Sequence, residues 1–192
     1  MRDIFTVRVI LISLVVLGMA VLLPGLLRLF HGKHHRWILH LVFMVYLTGN
    51  LYFTILFREE MPEAMYELEL FGAFRRSIRL DFGILGTIRR LLTEGLPAGI
   101  RIVSTESLEG QILNILLYVP MGYLLRFIWP KLRFAQVILI GFLASLLTET
   151  VQLFFRLGWF DVDDLVNNTL GTIIGAALYL LLIRKSRRAI PD

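Results

Sequence analysis

"GWFDVDDLVNNTLGTIIG", running from Gly158 to Gly175, decides how the chain is read. It sets Asp161, Asp163 and Asp164, then Asn167 and Asn168, in front of and inside an apolar run. Residues 165–183 contain no Lys, Arg, Asp or Glu. A bilayer-spanning helix needs about 20 such residues. Asp161 or Asp164 suits the N-cap, since carboxylates favour the positive end of a helix. Asp164, Asn168, Gly171 or Thr172, and Gly175 then share one face. Gly171 and Gly175 form a small-xxx-small pair that admits another helix closely. The stretch reads as a membrane helix entered through a polar mouth.

The rest of the chain supports a membrane setting. Hydrophobic residues make up 57% of it, and mean hydropathy is +0.72. Soluble domains are nearer 45–50% apolar. Besides 165–183, segments at about 5–29, 37–57, 110–129 and 134–155 are long and apolar enough to span. Strand-like alternation is absent, so the expected fold is an all-α, polytopic helical bundle with about five spans in a single membrane domain, 1–192. No Ala-x-Ala-type cleavage site follows the first span, so a cleavable leader is not expected. The absence of cysteine excludes disulfides and thiolate metal sites. A net charge of +5 suits contact with an anionic leaflet, and no basic-aromatic pattern points to nucleic acid.

Basic residues suggest the orientation. Ten flank one set of span ends and seven the other, counting the near-span part of the 58–108 connection. The positive-inside rule puts the C-terminus in the cytoplasm and the N-terminus outside. The turn 156–164 is then extracytoplasmic.

Polar residues inside spans demand partners. In 134–155, Ser145, Glu149 and Gln152, followed by Arg156, fall on one helical face. A carboxylate at mid-membrane costs about 2.5–3.5 kcal/mol on insertion scales. In 110–129, Asn114 and Tyr118 share a face, and Pro120 and Gly122 loosen the middle. Small residues Gly141, Ala144 and Ser145 offer a seat for the Gly171/Gly175 face, with the spans at 134–155 and 165–183 as antiparallel neighbours. Capping alone accounts for each aspartate, and an interhelical hydrogen bond for Asn114. Glu149 needs either a functional pocket or a structural ion pair. Between spans, MPEAMYELELFGAFRRSIRL and GILGTIRRLLTEG read as amphipathic helices lying in the interface over 58–108. The run HGKHHR at 31–36 lacks a nearby carboxylate and is not read as a metal site.

At these residues the sequence resembles the VanZ-like family of bacterial membrane proteins. Arg58, Tyr66, Phe71 and Arg75 match a first block. Asn114, Pro120 and Gly122 in "LNILLYVPMGYLL" match a second. Glu149, Gln152, Arg156, Asp161, Asp164, Asn168 and Gly171 match the third; Asn167 stands where an apolar residue or His is more usual. The likeness covers about 45–183. The family is named for a protein that lowers sensitivity to teicoplanin, a lipoglycopeptide acting outside the cytoplasmic membrane. The resemblance therefore implies a cell-envelope role in the bacterial cytoplasmic membrane, without implying a mechanism.

One expectation is an outward-facing site for a lipid headgroup, such as a polyprenyl-linked cell-wall precursor. Arg58, Arg75 and Arg156 would pair phosphate oxygens, with Asn114, Gln152 and Asn168 as further binding groups. Asp161, Asp163 and Asp164 would hold a divalent cation. Glu149, Asp161 and Asp164 are the candidate catalytic acids. The alternatives are a non-enzymatic scaffold that binds membrane lipid or a partner, and a transporter, against which stands the lack of an inverted repeat.

Overall fold

The computed structural model describes Gly18 and residues 35–56, 58, 60–94, 100–102 and 105–188. The expected span at 5–29 and most of HGKHHR lie outside the described residues. Among the described residues, four helical stretches are long and apolar enough to cross a membrane: Trp37–Leu56, Ser107–Ile128, Phe134–Phe155 and Val162–Leu182. The protein is a multi-pass membrane helical bundle.

Helix α1 covers His35–Leu51 and continues into a π turn, Tyr52–Leu56. Its seam against the next long helix is aromatic and polar. The Tyr46 hydroxyl donates to the Leu117 carbonyl at 2.8 Å, and Asn50 Nδ2 donates to the Tyr46 oxygen at 3.3 Å. Trp129 receives His40 and Phe43 edge-on, each with ring centroids 5.5 Å away. Helix ends leave carbonyls without intrahelical partners. In the π turn, the Thr54 carbonyl finds its donor in Gln152 Nε2, 2.7 Å away.

The connection departs from the sequence expectation. GILGTIRRLLTEG forms a helix as expected, over Gly83–Glu94, and leaves Ile84, Leu85 and Leu92 exposed. MPEAMYELELFGAFRRSIRL does not form one helix. It breaks into β1 (Met65–Glu67), α2 (Gly72–Ser77) and β2 (Ile78–Leu80), which makes Gly83–Glu94 helix α3. Strand β2 pairs antiparallel with β3, Ile100–Ile102. Phe71 sits at φ 60°, in the left-handed region, and stops any helix before Gly72. Backbone pairing here overrides local helix propensity.

Three long helices make the core: α4 (Thr105–Ile128), α5 (Phe134–Phe155) and α6 (Val162–Arg188). Strand β4, Trp159–Asp161, leads into α6 and pairs in parallel with β1. Tyr118, Leu124, Val137 and Ala176 are nearly inaccessible at their centre. The glycines show how closely α4 and α6 meet. A Cβ on Gly171 would overlap the Ile115 carbonyl oxygen, one on Gly175 that of Val119, and one on Gly122 that of Thr172. Ile115 under Gly171 and Val119 under Gly175 set a parallel register between α4 and α6. The Gly171/Gly175 pair was expected to meet the span at 134–155. It meets α4 instead. Helix α5 approaches α6 through Gly141, whose missing Cβ leaves room for the Thr172 side chain.

Candidate functional site

The polar residues collect at the end of the bundle where α5 stops and α6 begins. Helix α5 brings Ser145, Thr148, Glu149 and Gln152 inward at helical spacing, and all four are buried. Asn168 Nδ2 donates to Ser145 Oγ at 2.8 Å, and Thr172 stands against Gly141. In that antiparallel register Glu149 is level with Asp164. Glu149 is 2% exposed, and its Oε2 accepts the Asp161 N–H at 3.0 Å. Such a bond satisfies part of a carboxylate that has left water.

Around Glu149 the groups interlock. The Asn114 side chain hydrogen-bonds to Asp164. The Tyr118 hydroxyl hydrogen-bonds with the hydroxyls of Thr148 and Ser145. Arg58 lies within electrostatic reach of both Glu149 and Asp164. Gly158 makes room for it: a Cβ there would sit 3.0 Å from an Arg58 guanidinium nitrogen and 3.7 Å from Gln152 Oε1. The side-chain oxygen of Asn168, by contrast, is buried with no hydrogen-bond partner.

The rim is built from caps. Asp161 Oδ1 accepts the Asp163 N–H at 2.8 Å, an N-cap of α6. Burial pushes the Asp161 carboxyl above the usual aspartate range, and the neighbouring Asp163 and Glu67 charges push the same way. The Asp163 N–H and the Arg76 guanidinium oppose them. The buried Asp163 carboxylate accepts the Phe71 N–H and holds that left-handed residue in place. The parallel pairs Met65–Trp159 and Glu67–Asp161 tie the connection to the same rim.

Several expected participants lie elsewhere. Arg156 is the left-handed cap of α5, φ 54°, so it leaves the face that carries Ser145, Glu149 and Gln152. Its guanidinium binds Glu60 and, at 3.3 Å, the Pro62 carbonyl, on the exposed surface. Arg75 binds Glu69, also exposed. Neither joins Arg58. The three aspartates diverge as well: Asp161 caps a helix, Asp163 holds Phe71, and Asp164 meets Asn114. Consecutive turn-and-helix positions point about 100° apart. Among the described residues no group of three His, Cys, Asp or Glu is arranged to hold a metal ion. Thr148 and Thr54 were missed. The spacing of Thr148 from Ser145 and Gln152 marks it; the Thr54 carbonyl carries no sequence signal. Asn167 Nδ2 donates to Gln111 Oε1 at 2.8 Å, which gives that residue an interhelical partner on α4.

Comparison with known proteins gives the family. The family model described as VanZ/LLP1 matches residues 37–183, which include all four described spans and the whole cluster. Protein VanZ of Enterococcus faecium is 29% identical over 76 residues, covering 40% of this chain and 47% of that protein. The aligned part thus spans about half of that relative's length. No solved structure matches. With Glu149, Gln152, Asp164 and Asn168 converging inside the matched region, the chain belongs to the VanZ/LLP1 family.

Proposed function

We propose that the cluster around Glu149 faces the outside of the bacterial cytoplasmic membrane and binds the polar headgroup of a cell-envelope lipid. The observation that carries this reading is Glu149, 2% exposed at the end of a span and joined by Asp164, Asn114 and Arg58. Packing alone does not call for such a set, because an apolar side chain fills the same volume without desolvating a carboxylate. The bias of basic residues supports the orientation. Polyprenyl-linked precursors and phospholipids both present their heads at this depth, next to spans that an acyl or prenyl chain can lie along. Glu149 and Asp164 are the acids placed to meet the head directly, and Asp161 orients Glu149 through its N–H.

Membership of the VanZ/LLP1 family, which the sequence resemblance links to teicoplanin, supports a role in lowering teicoplanin sensitivity, and we assign that role to this cluster. The test is expression of the full chain in a teicoplanin-sensitive bacterium, with Glu149→Gln beside it. The wild-type chain raises the inhibitory concentration; the variant inserts to the same level and does not. An unchanged effect in Glu149→Gln removes the site from the function.

A further inference from the structure

We infer that the headgroup taken by this cluster carries a primary ammonium, whose N–H groups donate to Glu149, Asp164 and the side-chain oxygen of Asn168. The inference rests on the headgroup reading above and narrows its chemistry. Two observations carry it independently.

The first is charge. Glu149 and Asp164 face each other across α5 and α6 with Arg58 as the guanidinium within reach of both. Arg75, Arg76 and Arg156 are engaged with carboxylates of their own: Arg75 with Glu69, Arg156 with Glu60, and Arg76 with Glu67 at 2.9 Å. Asp161 adds a further half-buried acid at the rim. A phosphate brought here finds the Arg58 guanidinium against two carboxyl groups, whereas an ammonium favours their ionised form and pairs with it.

The second is a buried acceptor. Asn168 is 4% exposed; its amide nitrogen is given to Ser145 Oγ, and its oxygen has no donor. A buried polar atom left unpaired costs about 1–3 kcal/mol. It lies one turn beyond Asp164 on the α6 face that packs on Ser145. A primary ammonium offers three donors and no acceptor, which matches three acceptors and leaves no group unpaired. A phosphate oxygen offers none.

Phosphatidylethanolamine and phosphatidylcholine share the phosphate and the net charge and differ in those N–H groups, so they isolate the point. The purified full chain in neutral detergent is incubated with equal amounts of phosphatidylethanolamine, phosphatidylcholine, phosphatidylglycerol and undecaprenyl phosphate, and bound lipid is read by native mass spectrometry. Phosphatidylethanolamine is expected to be retained roughly tenfold over phosphatidylcholine, the consequence of losing even one charge-assisted hydrogen bond. Asn168→Ala is expected to lower that preference while leaving phosphatidylcholine retention unchanged. Should Asn168→Ala fail to fold, the wild-type comparison of the two lipids still decides. Equal retention of the two overturns the ammonium. Retention of undecaprenyl phosphate or phosphatidylglycerol above phosphatidylethanolamine also overturns it while keeping a headgroup site. Retention of none of the four defeats the headgroup reading itself.

Discussion

Placing Ala at Gly175 tests the frame that holds the cluster. The Gly175 Cα faces the α4 backbone. A Cβ there would overlap the Val119 carbonyl oxygen and lie 2.8 Å from the Tyr123 nitrogen and 2.9 Å from the Val119 carbonyl carbon. Ordinary contact starts at 3.4 Å, so on the Tyr123 nitrogen alone the helices must part by about 0.6 Å. The atoms met are backbone within helices, and no rotamer change relieves them. Overpacking of this kind costs about 1–3 kcal/mol. Ala gains back about 1 kcal/mol of helix propensity, which leaves a net loss of up to about 2 kcal/mol. Gly110, on the exposed side of α4, is the internal control, since nothing lies within 4 Å of its added Cβ. There the same substitution keeps only the propensity gain. Thermal unfolding of the purified chain in detergent, followed by circular dichroism, compares Gly175→Ala with Gly110→Ala. The first is expected to unfold at a lower temperature than wild type and the second at an equal or higher one. Equal behaviour of the two variants would refute the close α4–α6 contact.

Other expectations concern single groups. Because burial raises the Asp161 carboxyl above its usual range, the folded state binds its proton more tightly than the unfolded state does. That contribution is full below the ordinary aspartate pKa of about 4 and is lost as pH rises through the folded value. Asp161→Asn keeps the α6 cap and is expected to flatten the fall in unfolding temperature from about pH 4 upward; an unchanged slope counts against the burial of this carboxyl. Arg156→Gly relieves a left-handed residue and removes an exposed ion pair, so stability is expected to change by less than about 1 kcal/mol. Teicoplanin tolerance and lipid retention are expected to survive it, and their loss would return Arg156 to the site. Asn167→Leu leaves Gln111 without its partner and is expected to cost about 0.6 kcal/mol, the usual worth of an interhelical hydrogen bond in a membrane, read by the same unfolding assay.

The sequence announced what stands out chemically and hid what depends on the path of the chain. Glu149, Asn114, Asp164 and Asn168 are polar groups in apolar helices, and lipid leaves such groups few options besides one another. The four described spans were visible for the same reason. The partner of Gly171 and Gly175 was not, because α4 and α5 both offer small residues and a glycine pattern names no partner. Arg75 and Arg156 were misplaced because an exposed arginine reaches whichever carboxylate the loop brings near; for Arg156, one residue past the helix end was enough to take it off the face. Strands β1 to β4 left no trace, since three-residue ribbons are held by backbone hydrogen bonds and need no alternation of side chains.

The parallel ribbon of Met65–Glu67 with Trp159–Asp161 bears on how the protein is made. Parallel partners need a long crossover between them, and here the crossover includes α4 and α5. Residues 65–67 therefore wait, during synthesis, until two more spans have been threaded. Until Asp161 emerges, Glu149 lacks the N–H that it accepts in the finished protein. A nascent chain ending at Phe155 carries Glu149 without that N–H, and membrane quality control is expected to remove it sooner than a complete copy. Pulse-chase labelling of chains stopped at Phe155, with Glu149 or with Leu in its place, should show faster degradation of the former; equal lifetimes would count against that expectation.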